Sequence, residues 1–255
     1  MNKLSVTIIT LNEERNIERC LKSLAGVADE IIVLDSFSSD RTEEICEQYD
    51  VIFEKRKWEG YSASKNYLNQ LASHEYILSL DADESLSEEL KNSILKEKNN
   101  GFSGVYSVNR LTNYCGTWIK YSGWYPDIKT RIFPKSISQW VGAYVHEELE
   151  VDGNPTPQLL IGDLFHYSYY SFIDHKERAD KYSRLTAQKM NAKGKKASAL
   201  KPYLSAFVRF VGMYFVKLGF LDGKMGFKIA QISAQSNIYK YKELRRLNRE
   251  QDNKS

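Results

Sequence analysis

Four times in the first hundred residues a short run of apolar, β-branched side chains is followed by a segment with helical spacing, which restricts the chain to a narrow class of folds. Residues 4–11, LSVTIITL, are too continuously apolar for a strand with one wet face. Ile17, Cys20, Leu21 and Leu24 then recur at spacings of three and four before Gly26, with Asn12 as the expected N-cap. Residues 30–35, EIIVLD, repeat the strand, and Asp40 to Glu43 read as a capping box opening a helix to about Tyr49. Residues 51–55 make a third strand, 62–72 a third helix and 74–81 a fourth strand, and Ser85 to Glu88 cap a fourth helix. This order predicts an α/β fold with a mostly parallel central sheet and helices on both faces. Such sheets bind ligands beyond the carboxyl ends of their strands, so functional residues are expected just after the first, second and fourth.

From about residue 103 the texture changes to aromatic, strand-like segments separated by Gly, Pro and Asn, which suggests a mixed or antiparallel half. A charged helix is expected from about Ser171 to Met190. Charge divides the chain at residue 188: 21 Lys and Arg stand against 29 Asp and Glu before it, and 15 against 4 after it, net −8 and +11. One globular domain over 1–188 and a basic, amphipathic helical tail over 189–255 are therefore expected. A basic tail seeks an anionic partner. Within it the apolar run 203–221 places Phe207, Phe210, Val211, Tyr214, Phe215 and Leu218 on one helical face, which favours an anionic membrane surface; no nucleic acid is expected. Arg209 and Lys217 interrupt that run and argue against a simple span. The three cysteines, Cys20, Cys46 and Cys115, are an odd number without metal-ligand spacing, so neither a disulfide framework nor a zinc site is indicated. The N-terminal apolar run is too short for a signal peptide. A cytoplasmic location, peripheral on the inner face of the cell membrane, is the expectation.

Asp81 and Asp83 leave the end of the fourth strand one residue apart, where two carboxylates can aim at one Mg²⁺ or Mn²⁺ shared with substrate phosphates. The bland alternative is an acidic turn that favours the following helix N-terminus. Thr10, Asn12 and Glu13 end the first strand and Asp35 the second; amides and carboxylates there can bind a base edge and ribose hydroxyls without a Gly-rich loop. Lys65, on the third helix, could reach a phosphate or base, although an isolated helix lysine is more often solvated. Trp118, Trp124 and Tyr125 could stack on a sugar or lie in the core.

Four segments in this order, VTIITLNEE (6–14), IIVLDSFSSDRT (31–42), GYSASKNYL (60–68) and LSLDADE (78–84), resemble the family 2 glycosyltransferases of GT-A fold. The likeness is close over the first hundred residues and looser to about 170. Ser36 to Ser39, where many relatives have an Asp-Gly-Ser type turn, looks most like the bacterial lipopolysaccharide-core β-glucosyltransferase branch. The resemblance implies a nucleotide-binding half over 1–100 and an acceptor half over 101–188. It also implies that Asp35 contacts the base, Asp81 the ribose or metal, and Asp83 the metal. An acidic residue after the second-half strands would be the catalytic base; the matching place reads His146-Glu147-Glu148, which departs from the common Glu-Asp pair. The resemblance nominates Glu147, because His-Glu at this place is what that branch shows; in a strand, Glu148 would face the other way. Histidines sometimes add a metal ligand in relatives, which nominates His166 and leaves His146 open. The implied activity is inverting transfer of a hexose such as glucose from a UDP-sugar to a lipid-linked or lipopolysaccharide-core saccharide. The alternatives are a nucleotidyltransferase, which normally carries a Gly-rich loop absent from residues 10–13, and a non-catalytic nucleotide-binding adaptor on membranes.

Overall fold

The computed structural model describes residues 3–142 and 147–252. The chain forms two compact units, Met1–Leu111 with Asp127–Tyr167, and Thr112–Pro126 with Ser168–Ser255. The first unit begins with β1 (Leu4–Thr10), α1 (Ile17–Ser23), β2 (Glu30–Asp35), α2 (Thr42–Cys46), β3 (Ile52–Lys55), α3 (Tyr61–Leu71) and β4 (Tyr76–Asp81). It continues with β5 (Glu84–Leu86), α4 (Glu88–Asn100) and β6 (Tyr106–Tyr114), the last of which passes into the second unit at Thr112. After β7 (Thr117–Trp118) the chain returns through β8 (Ile128–Pro134), β9 (Ser138–Val141), β10 (Glu148–Val151) and β11 (Gln158–Tyr169). The helices α5 (Phe172–Ala192), α6 (Lys201–Val211) and α7 (Gly223–Asp252) follow.

Among the described residues the main sheet runs in the order β3-β2-β1-β4-β8-β6-β11-β5, with β7 paired to β6. It is a mixed sheet. β1 lies parallel to β2 and β4, and β2 to β3, because a helix separates each strand from the next. Beyond β4 the crossover helices thin out and β8 runs antiparallel to both β4 and β6. Alternate residues of the parallel strands feed two cores: Val6, Ile8, Val33, Leu78 and Leu80 on one face, Ile9, Ile32, Leu34 and Ile77 on the other. Leu21 of α1 and Ile94 of α4 complete the first core, and Leu68 of α3 the second. Both faces of β1, β4 and the latter part of β2 are dry, as continuous apolar runs require.

Three local expectations change. α1 starts at Ile17 with Asn16 at the cap position, and α2 spans only Thr42–Cys46, so neither Asn12 nor Asp40 caps a helix in the expected way. Ser85 lies in β5, and the cap of α4 is Ser87, whose side chain accepts from the Leu90 N–H at 3.1 Å. β5 exists because it pairs antiparallel with Leu164–His166 of β11, a partner eighty residues away that no local pattern announces. Here β11 approaches the start of α4 closely. Asp163 N–H donates to the Ser87 hydroxyl at 3.1 Å, and a Cβ on Gly162, whose φ is +101°, would lie 2.3 Å from the Leu90 nitrogen.

In the second unit α7 packs against both α5 and α6. The step in charge at residue 188 falls inside α5, so the basic segment continues an ordered helix. Around His175 stand the rings of Tyr114, Trp124 and Tyr169, which places Trp124 in an aromatic core. The Tyr114 hydroxyl lies 2.8 Å from His175 Nδ1. Burial, reinforced by the Arg178 charge, lowers the imidazole from 6.5 to about 4. Between these values the unfolded histidine binds a proton that the folded one refuses, so stability is full above the ordinary value and is lost as pH falls towards 4. Lowering the pH from about 7 to about 5 should cost roughly 2 kcal/mol through this group. Denaturant midpoints of the parent and His175→Gln at both pH values measure it: the parent should lose more than the variant, and equal losses would exonerate His175.

Candidate active site

The parallel register sets the ends of three strands level, with Thr10 opposite Asp35 and Ile9 opposite Asp81. The loops leaving β1 and β2 are sewn together. Asn12, at φ 54°, accepts from the Ser39 N–H at 2.8 Å and donates its own N–H to the Ser38 hydroxyl at 2.8 Å. The Glu13 N–H donates to the Thr42 hydroxyl at 2.8 Å, and Glu14 N–H to Asp40 at 3.0 Å. Asp35 is fully buried and takes the Ser38 N–H at 2.8 Å together with the Ser38 hydroxyl. Asn12 and Asp35 thus shape one rim, from which Phe37 projects, 60% exposed. The Thr10 hydroxyl is buried without a hydrogen-bond partner among the described residues.

At the end of β4 the structure gathers charge. Lys65 of α3 is only 2% exposed, and its Nζ sits 3.3 Å from Asp81 Oδ1 and 3.2 Å from Glu147 Oε1, over the Trp140 ring at 4.7 Å. It is therefore not the solvated surface residue that an isolated helix lysine more often is. The other Asp81 oxygen meets Arg131 at 3.1 Å, and Arg131 also bonds Glu84 at 2.5 Å. Glu84, itself buried, takes the Asp81 N–H at 3.0 Å and the Arg110 guanidinium at 3.4 Å, and Arg110 continues to Asp127 at 2.7 Å. Burial opposes ionisation of Asp81, but the fields of Lys65, Arg131 and Arg110 outweigh it and hold the carboxyl far below its usual range. Burial likewise opposes the charge on Arg131, and Glu84 and Asp81 more than restore it.

Asp83 turns away from this network. Its Oδ2 lies 3.3 Å from His166 Nε2, while its carbonyl accepts from the Tyr167 N–H at 2.9 Å. Strand pairing places His166 opposite Glu84, which fixes the imidazole beside the turn. Among the described residues no three carboxylate, imidazole or thiol groups converge as a ready metal cluster. The expected set of Asp81, Asp83 and His166 divides: Asp83 and His166 meet, whereas Asp81 is held by cations. Glu147 directs its carboxylate to Lys65, whereas Glu148, paired with Val141 in β10, is exposed. His146 lies outside the described residues.

Sequence reasoning missed Glu84, Arg110, Arg131 and Asp127. A signal existed for one of them: Arg131 stands directly before the apolar end of the strand-like segment 128–134, a position that only a buried counter-charge makes tolerable.

Comparison with known proteins identifies the family. The sequence profile of Glycosyl transferase family 2 matches residues 5–147, and the chain belongs to that family. Its fold is accordingly GT-A. An uncharacterised glycosyltransferase of Rickettsia felis is 30% identical over 96% of this chain and 90% of its own length. The lipopolysaccharide core biosynthesis glycosyltransferase LpsC of Rhizobium meliloti is 28% identical over 83% of this chain and 80% of its own. Among solved structures, residues 1–349 of S. aureus TarS in complex with UDP share 14% identity over 98% of this chain and 92% of that one, at a TM-score of 0.46.

Replacing Arg131 by Met should destabilise the first unit by about 3 to 5 kcal/mol, since it strands Glu84 and Asp81 without their shared cation. Adding Glu84→Gln to that variant should recover part of the loss. A double-mutant cycle by chemical denaturation reads the coupling, and additive losses would mean that the pair acts independently.

Proposed function

We propose that the chain is an inverting hexosyltransferase that moves a sugar from a UDP-sugar to a saccharide acceptor of the lipopolysaccharide-core or lipid-linked kind. Family membership supports glycosyl transfer. The name of the Rhizobium relative supports the class of acceptor. The observation that carries the catalytic reading is the bridge from Asp81 through Lys65 to Glu147, which fixes a half-buried carboxylate beside the carboxyl ends of the strands.

In this reading the rim formed by Thr10, Asn12, Glu13 and Asp35 receives the base and ribose, and Asp81 with its two cations orders the floor beneath them. Glu147 accepts the proton of the acceptor hydroxyl as that oxygen forms a bond to the anomeric carbon. The bond from that carbon to the diphosphate oxygen breaks on the opposite side, so configuration inverts and the nucleoside diphosphate leaves. Asp83 and His166 fit a divalent cation: a carboxylate and an imidazole nitrogen 3.3 Å apart suit Mn²⁺ or Mg²⁺ that takes its remaining ligands from water and diphosphate oxygens. Such an ion would offset charge on the departing diphosphate.

The test is release of UDP from UDP-glucose in the presence of a core-saccharide acceptor. Glu147→Gln should lower kcat by about 10²-fold or more and leave donor affinity nearly unchanged, and Glu148→Gln should do much less. The reverse order would move the base to Glu148. Asp83→Ala should abolish both transfer and the dependence of donor binding on Mn²⁺; retention of near-parental turnover would remove Asp83 from the metal site.

A further inference from the structure

α6 is apolar on both of its sides. One side carries Ala206 and Phe210 and, in the π-helical turn Gly212–Val216 that follows, Met213 and Tyr214; these pack against α7, where Ile229 and Ala230 are buried. The expected single stripe is thus divided, because Phe210 and Tyr214 face inward while Phe207 and Phe215 do not. The other side presents Leu204, Phe207, Val208, Phe215 and Val216, each between 55% and 74% exposed, and Leu221 extends it at 53%. A run of large apolar groups of this size facing outward marks an interaction surface.

The projection is built into the fold. Asp222 accepts the N–H groups of Lys120 and Tyr121 and the Ser122 hydroxyl at 3.0–3.2 Å, which ties down the turn after α6. At the start of α7, Gly226 lies so close to the turn that a Cβ there would meet the Gly219 carbonyl at 1.8 Å. The chain bends by 74° between the α6 segment and α7, and among the described residues no single helix is long and apolar enough to cross a membrane.

Charge selects the occupant. Residues 181–221 contain nine Lys and Arg and no Asp or Glu. Lys193, Lys195, Lys196, Lys201, Arg209 and Lys217, all exposed, lie within the apolar segment or just before it in sequence. A second copy of the chain would bring the same positive charge to the contact, whereas an anionic lipid surface supplies both phosphates for the cations and an acyl boundary for the rings.

We propose that residues 200–221 dock the chain on the surface of an anionic bilayer without crossing it, Phe207 and Val216 entering the acyl boundary and the lysines lying among the headgroup phosphates. The inference rests on the second unit alone and stands or falls separately from the transferase reading, since its test involves no turnover. The full chain is sedimented with vesicles of phosphatidylglycerol and phosphatidylcholine, and with phosphatidylcholine alone, at low and high salt. It should pellet with the anionic vesicles, less so at high salt. The pair Phe207→Ser with Val216→Ser should weaken binding about tenfold or more while leaving the circular dichroism spectrum and thermal midpoint unchanged. A full chain that stays in the supernatant at low salt, or a double variant that pellets equally well, overturns the proposal. So does a solution dimer that these substitutions dissociate, in a chain that ignores vesicles.

Discussion

Asp81 is held between two cations that arrive from different parts of the first unit, and the arrangement of the site depends on that meeting. Lys65 comes from α3, which belongs to the parallel half, and Arg131 from β8, which belongs to the antiparallel half. Neither could be buried alone, because an unpaired ammonium or guanidinium in the interior loses several kcal/mol of hydration. Each is tolerable only where a carboxylate waits, and Asp81, at the end of β4, meets both. The same contacts that let polar groups occupy the floor therefore dock the two halves of the unit at one point.

A buried ion network of this kind is weak evidence for net stability, since apolar groups of similar volume often pack as well. What it supplies is position. Glu84 takes the Asp81 N–H and also two guanidinium groups, so backbone and side chains at the strand end are fixed together. Glu147 is drawn to the same lysine across eighty-two residues of sequence. A carboxylate placed by an ion pair to a buried, helix-borne lysine is held more narrowly than one left on a surface loop, which is the condition that proton transfer to a defined atom requires.

The parallel half was legible because its signals are local: β-branched runs, helical spacing and acidic strand ends all lie within single elements. The antiparallel half was legible only as texture, since the pairing of β5 with β11 depends on a strand that begins beyond residue 157. The same limit hid the fate of individual polar residues. Asn12 followed a strand, as an N-cap would, yet its left-handed backbone and its bonds to Ser38 and Ser39 belong to a contact between loops. Lys65 looked like surface because helical spacing says which residues share a face and not what covers that face. α6 shows the limit most directly: its apolar residues were legible, but with such residues on every side, periodicity could not divide those that meet α7 from those left exposed.

The division among Asp81, Asp83 and His166 also bears on where a divalent cation would be welcome. Lys65 and Arg131 already occupy the two oxygens of Asp81, so a dication could coordinate that carboxylate only by displacing a protein cation. Asp83 shares its oxygen with an imidazole instead, a group that is a ligand when neutral and surrenders no full charge on coordination. Two carboxylates separated by one residue in sequence therefore occupy opposite electrostatic situations, because the chain turns between them and sends one towards α3 and β8 and the other towards β11. Under the proposed reading this asymmetry divides the labour of the Asp-Ala-Asp segment: Asp81 orders the floor with protein cations, and Asp83 keeps its charge available for a metal ion that comes and goes with the diphosphate.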